Sequence, residues 1–145
     1  MLWIERTLSF EVLPAALDRV RDTQLKEALA SHLEETRRHV SRLEEAFRAA
    51  GAEPAAARSP ALAGLHAQRD AQKVPEQTLG DLVDATAAVR VEHFELGLYD
   101  PLIELARTLD HDECASLLAQ NRKEEEKALE HIGRIAARLR AELPR

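Results

Sequence analysis

The sequence has few of the residues that break or cross-link helices. Its 145 residues include five glycines, six prolines and one cysteine, and aromatic residues make up only 3%. The single Cys114 excludes an internal disulfide, and no cysteine-rich metal motif surrounds it. No apolar run approaches the roughly 20 residues of a membrane span, and no signal peptide precedes the first predicted helix. We therefore expect a cytoplasmic protein that has no membrane contact.

The residues that are abundant favour a helical domain. Hydrophobic residues make up 45% of the chain and charged residues 32%, which is typical of a globular protein rather than a disordered one. Alanine, leucine, glutamate and arginine, all good helix formers, are frequent. The net charge of −6 argues against a general nucleic-acid binder. The length predicts one all-α domain over residues 1–145.

Apolar residues recur at helical spacing along most of the chain. The predicted helices cover about residues 2–21, 24–50, 61–73, 79–108 and 112–142. Pro14 is expected to bend the first of them and Pro101 to kink the fourth. Short links make neighbouring helices antiparallel, and the long middle connection lets the second and third long helices run parallel. This pattern predicts a ferritin-like four-helix bundle whose long crossover contains the short helix.

The first predicted helix is apolar on two faces. Ile4, Leu8 and Val12 form a strip nearly opposite the one that contains Leu13 and Leu17. Since such a helix needs either more neighbours or a partner chain, we predict a homodimer.

Carboxylates interrupt the apolar faces of two later helices. Glu92 lies inside the apolar stripe of the 79–108 helix with Glu95 at its edge, and Glu125 lies in the middle of the last helix's stripe. A buried carboxylate is costly unless it is paired or coordinates a metal. Two interpretations stay open: a metal site, or a buried ion pair in which Arg6 neutralises Glu125.

Potential nitrogen ligands lie on the 24–50 helix. His32 and His39 share one edge of its stripe, with Glu35 between them and about 100° away. Imidazole and carboxylate groups are suitable ligands for iron, manganese or zinc. The two histidines are interpreted either as ligands or as hydrogen-bonded neighbours of a site. Arg42 and Glu124 are predicted to lie on solvated faces, Arg42 pairing with Glu34 or Glu45.

Several stretches resemble the YciE/YciF family of ferritin-like proteins. They are residues 25–29 (LKEAL), 32–36 (HLEET) and 87–95 (AAVRVEHFE), together with the Glu124-Glu125 pair before Lys127. The resemblance covers most of the chain between residues 13 and 136. It implies a ferritin-like fold and a binuclear metal centre, in a family linked to stress responses. The stretch Glu92-His93-x-Glu95, followed by Tyr99, is also distantly similar to rubrerythrins, which implies that Glu92 and Glu95 are ligands.

The sequence departs from the family pattern at three ligand positions. The family's first-helix glutamate falls on Arg6, with Glu5 one residue away. Thr36 stands where a Glu-x-x-His motif ending at His39 needs glutamate, and no histidine lies three residues after Glu125. These departures favour an alternative, a metal-free helical module with a structural or protein-association role.

Two hypotheses result. The first is a binuclear iron or manganese centre that acts on oxygen or peroxide or holds metal ions; the second is the metal-free module. The candidate ligands of the first are Glu92, Glu95, Glu125, Glu35, His39, His32 and Glu5.

Overall fold

A computed structural model of the protein describes residues 1–143, and every regular element in that range is a helix. The elements are α1 (Leu2–Thr7), a π-helical turn (Leu8–Val12), α2 (Leu13–Arg19), α3 (Thr23–Ala49), α4 (Pro60–Ala71), α5 (Gln77–Thr108) and α6 (Asp112–Glu142). The predicted all-α class is confirmed over these residues. Residues 144 and 145 of the predicted domain lie outside the described part of the chain.

Side-chain caps fix where three of the helices begin. Asp22 accepts a hydrogen bond from the backbone N–H of Leu25 at the start of α3. Ser59 and Glu76 cap α4 and α5 in the same way. Gly51 follows α3 with φ +72°, a conformation that an L side chain rarely adopts, so it ends that helix.

The first long helical stretch is irregular just before Pro14. Proline has no backbone N–H, and its ring would clash with the carbonyl four residues earlier, on Phe10. Leu8–Val12 form a wider π-helical turn, with i→i+5 hydrogen bonds, just before Pro14. This turn takes up about one extra residue, so the residues before it are rotated about the helix axis relative to those after it. Glu5, eight residues before Leu13, is therefore brought to the same inner side, and Arg6 is turned outward.

Helix α6 packs along both α5 and α3, and α1 packs against α3. Two apolar clusters result. One contains Ile4, Leu29, Leu62, Ala85 and Ile132 among others; the other contains Leu2, Leu43, Tyr99, Ile103 and Leu118. Along α3, α5 and α6, buried polar residues separate the positions that join one cluster from those that join the other. The packing thus leaves a polar layer between the two apolar clusters.

The second apolar strip of the first helical stretch is covered by the chain itself. Ile4 and Leu8 are buried in the same cluster as Leu62 of α4, and α4 lies beside Val12. The reason given above for a homodimer, an uncovered second face, does not hold for this strip. Among the large apolar residues of the first helical stretch, Phe10 is the exposed one, at 72%. Within residues 1–143, none of the helices has the length and apolar character that crossing a membrane requires.

Candidate metal centre

Six ionisable side chains from four helices meet in the polar layer. None of them is more than 3% exposed. They are Glu5 of α1, His32 and His39 of α3, Glu92 and Glu95 of α5, and Glu125 of α6. Every one of them was a predicted ligand. The structure therefore brings six of the seven predicted site residues together.

The first group of ligand atoms joins α1, α3 and α6. His39 Nδ1 lies 2.8 Å from Glu125 Oε1 and 3.5 Å from Glu5 Oε1. One atom of each residue lies within 4.8 Å of the others, which is close enough for all three to bind one ion.

The second group joins α3, α5 and α6. His32 Nε2 lies 3.1 Å from Glu92 Oε1 and 3.5 Å from Glu125 Oε2. These ligand atoms also lie within 4.8 Å of one another. Glu125 belongs to both groups, with one carboxylate oxygen directed to each histidine. A carboxylate placed in this way can bridge two metal ions.

Many buried atoms of this cluster have no hydrogen-bond partner. They are Oε2 of Glu5 and Glu92, both carboxylate oxygens of Glu95 and Glu125, and Nδ1 of His32 and His39. Although His39 Nδ1 approaches Glu125 closely, the two atoms are not aligned as a hydrogen bond. Buried polar atoms without partners are rare in native proteins because each one costs free energy. Their convergence is the arrangement that a bound cation would satisfy.

Burial changes the protonation of the carboxylates. Removal from water, followed by the nearby Glu92 charge, raises the pKa of Glu125 to about 7. Burial and the charge of Glu125 likewise raise the pKa of Glu5, and they raise the pKa of Glu95 well above its ordinary value. Neighbouring negative charge thus adds to burial in disfavouring the ionisation of Glu5, Glu95 and Glu125.

The cluster favours the charged forms of the two histidines, whereas it favours the neutral forms of the carboxylates with raised pKa values. Burial alone would lower their pKa values, but the carboxylates overcome it. Contacts with Glu125 and Glu5 raise the pKa of His39 to about 10, and Glu92 contributes most to raising the pKa of His32. Four carboxylates nevertheless face only two imidazoles. Even with both rings protonated, the side chains of the cluster cannot balance four ionised carboxylates.

A hydrogen-bonded chain holds His39 in place from outside the cluster. His39 Nε2 lies 2.8 Å from Glu124 Oε2, and Arg42 binds both oxygens of Glu124, at 2.8 and 3.0 Å. The neighbouring carboxylate orients the ring so that Nδ1 points toward Glu5 and Glu125. Metal-binding histidines commonly donate their second N–H to a carboxylate in this way. The predictions that Arg42 and Glu124 lie on solvated faces were wrong, since they pair with each other beside the site.

Tyr99 and Asn121 complete this surrounding network. The Tyr99 hydroxyl donates to Glu5 Oε1, and Asn121 donates to the Tyr99 oxygen at 3.1 Å. Asn121 also accepts from Arg42 at 3.1 Å. Sequence reasoning gave Asn121 no role. A polar side chain at the centre of an apolar stripe was the signal that could have found it.

Glu35 is the predicted ligand that lies outside the cluster. Its side chain is 29% exposed, with Oε2 at 3.5 Å from His32 Nδ1 on the side of the ring that faces away from Glu92. That contact lowers the pKa of Glu35. Glu95 lies inside the cluster but belongs to neither three-residue group.

The proposed partnership of Arg6 with Glu125 was wrong. Arg6 is exposed and donates to Glu44 at 2.7 Å on the surface of α3. Glu5 takes the inward position instead, because the π turn shifts the helical phase before Pro14. The buried ion-pair interpretation therefore lacks its arginine and depends chiefly on the histidines.

Taken together, the fold and this cluster define an all-helical protein with buried carboxylates and imidazoles contributed by four helices. The chain belongs to the family described as Domain of unknown function (DUF892), which matches residues 1–142. The predicted resemblance to the YciE/YciF family is confirmed by this match and by the solved structures that the fold resembles. No curated protein matches the chain.

Two solved structures are similar over nearly the whole chain. YcfI of Rhodopseudomonas palustris, described provisionally as a structural protein, is 30% identical with a TM-score of 0.87. That similarity covers 91% of this chain and 85% of YcfI. The E. coli stress protein YciF is 22% identical with a TM-score of 0.91, covering 98% of this chain and 91% of YciF. At that identity the likeness to YciF concerns the fold.

Proposed function

We propose that this protein binds two iron or manganese ions in the buried cluster. Glu5 and His39 would hold one ion, His32 and Glu92 the other, and Glu125 would bridge them. The observation that carries the proposal is the position of Glu125, which offers one oxygen to each of two groups that both contain one imidazole and one further carboxylate. Carboxylate and imidazole donors of this kind suit iron and manganese.

The charge of the cluster supports a pair of divalent ions. Four buried carboxylates match the charge of two such ions when both imidazoles are neutral. Without metal, removal from water raises the pKa values of Glu5, Glu95 and Glu125 and so favours their protonated forms. Metal binding would release these protons.

The surrounding fold supports the same assignment. We propose that the first helical stretch, α3, α5 and α6 form a ferritin-like four-helix bundle, with α4 in the long crossover between α3 and α5. Bundles of this class place metal ligands on inward faces of all four helices, as the six clustered residues are placed here.

When bound, a binuclear iron or manganese centre would provide electrons for the reduction of small oxidants such as oxygen or peroxide. This chemistry would suit a protein of stress defence. This chain's own residues would act around it. Glu124 and Arg42 would fix the His39 ring, and Tyr99 would hold Glu5. The apolar clusters on both sides would keep bulk water out.

A metal-free structural module is the second candidate. The observation that favours it is the direct approach of each histidine to a carboxylate, His32 to Glu92 and His39 to Glu125, at distances suited to ion pairs. The provisional description of YcfI as structural points the same way.

Metal content separates the two candidates. Protein purified without chelator and incubated with Mn²⁺ or Fe²⁺ is expected to retain two ions per chain by mass spectrometry of the metal. Glu125→Gln should lose both ions, because it contributes to both groups, whereas Glu92→Gln should lose one. Glu126→Gln is the matched control, since Glu126 lies next in the chain but on the surface. Metal-free wild-type protein after incubation would exclude the proposal.

We also propose a homodimer, supported by the exposed side chain of Phe10 (72%) on the first helical stretch. Light scattering during gel filtration tests this directly. A monomer mass for the wild type at high concentration would refute it.

A further inference from the structure

A groove between α3 and α6 leads from the surface to the buried cluster. Its cavity volume is about 680 Å³, and its lining includes His32 and Glu35 of α3 and Lys127 and His131 of α6. A second cavity that reaches His32, on the α4 side, holds only about 50 Å³. The α3–α6 groove is therefore the larger of these two approaches to His32.

The His32 ring forms the wall between this groove and the cluster. Its Nε2 lies 3.1 Å from Glu92 on the inner side, while Nδ1 lies 3.5 Å from Glu35. His32 is 3% exposed, and Nδ1 makes no hydrogen bond. An unpartnered nitrogen beside a half-buried carboxylate thus stands where the groove meets the cluster.

The charges along the groove favour the approach of a cation, because two of its arginines lie beside carboxylates. Arg138 is neutralised by Asp22 and Glu142, and Arg134 lies 3.9 Å from Glu130. Among the described residues, two groove carboxylates lack a lysine or arginine partner, and one groove ammonium lacks a carboxylate partner. The two carboxylates are those of Glu27 and Glu35, and the ammonium is that of Lys127.

We propose that this groove is the route by which divalent metal ions reach the cluster, with Glu35 as the transient ligand that passes each ion to His32. The inference rests on the proposed metal-binding function. Glu35 then acts on the rate of uptake and is not a resident ligand, in keeping with its position outside both three-residue groups. Lys127, on the opposite wall, opposes the approach of a cation.

Stopped-flow absorbance with Co²⁺ alone as the probe tests the route. The dependence of the observed rate on Co²⁺ concentration gives the association rate constant, and a chase with EDTA gives the dissociation rate constant. Glu35→Gln is expected to slow association by roughly threefold to tenfold, since a charge that focuses an approaching ion acts on the on-rate. The dissociation rate constant should fall by a similar factor, because a released ion passes the same transient ligand, and the affinity and the final stoichiometry should not change.

Controls in the same helices keep the outcome interpretable. Glu34→Gln removes a neighbouring carboxylate that faces solvent beside Arg37, and it should leave both rate constants unchanged. Lys127→Met should accelerate association, and the matched Lys26→Met, on an exposed position outside the groove, should not. Higher salt should shrink the Glu35 and Lys127 effects because it screens exposed charges.

Three results would overturn the inference in distinguishable ways. Unchanged association in Glu35→Gln would exclude the route while leaving metal binding intact. Faster dissociation with unchanged association would make Glu35 a support for the His32 ring instead. Failure of the wild type to take up Co²⁺ would remove the proposed function itself, and this inference with it.

Discussion

The most informative perturbation of the metal-free protein is a change of pH from 5 to 7.5. Glu125 has an ordinary pKa of 4.5, and in the folded chain burial and the charge of Glu92 raise its pKa to about 7. Between these values the unfolded state loses its proton first, so rising pH favours unfolding. From this shift alone, the free energy of unfolding should fall by on the order of 2 kcal/mol between pH 5 and 7.5.

The other groups in this range mostly act in the same direction. The raised pKa of His39 contributes stability that is complete below 6.5 and is lost as the pH rises toward 10. Burial lowers the pKa of His66, which opposes the trend, and a His66→Gln background removes that contribution. Carboxyl groups with lowered pKa values, such as Glu124, titrate below this window.

Urea unfolding followed by far-UV circular dichroism, in EDTA at each pH, measures the effect. With excess Mn²⁺ the sign should reverse, because protons compete with the metal for the same carboxylates and imidazoles. Glu125→Gln should flatten the dependence seen in EDTA. Greater stability at pH 7.5 than at pH 5 in the chelated protein would refute the reasoning that these carboxylates lie together out of water.

Three further substitutions test the packing around the cluster. Tyr99→Phe removes the hydrogen-bond donor to buried Glu5 and should reduce the free energy of unfolding by about 1–3 kcal/mol. Urea titrations measure this loss, and an unchanged urea midpoint would contradict it. Arg6→Ala breaks only an exposed pair with Glu44 and should change stability by less than about 1 kcal/mol in the same assay. Leu62→Ala leaves a cavity under α4 and should cost about 2–5 kcal/mol, measured as a shift of the thermal midpoint; no shift would mean that α4 does not seal the core.

The ligands on α5 and α6 were predictable from helical spacing. Both helices are regular where their ligands lie, so a uniform rotation of about 100° per residue placed Glu92 and Glu125 correctly on inward faces. The cost of leaving a carboxylate among apolar side chains then marked these positions as special. The same logic, with the family resemblance, indicated His32 and His39.

The first helical stretch was harder to interpret because its phase changes. Uniform spacing placed Arg6 on the inner stripe with Leu13, whereas the π turn before Pro14 adds a residue and brings Glu5 inward. Proline indicates that the helix is disturbed, but it does not state whether the chain responds by bending or by widening a turn. That response depends on which arrangement buries more of the neighbouring apolar side chains.

By itself, the sequence determined the all-α class, the approximate helix bounds and the inward positions of Glu92 and Glu125, because these follow from local spacing along a single helix. Only the tertiary structure decided which atoms meet. The pairing of Arg42 with Glu124, the position of Asn121 between Tyr99 and Arg42, and the exclusion of Glu35 from the cluster all join separate helices. Such contacts depend on the rotation and relative height of packed helices, which the whole core sets through side-chain packing.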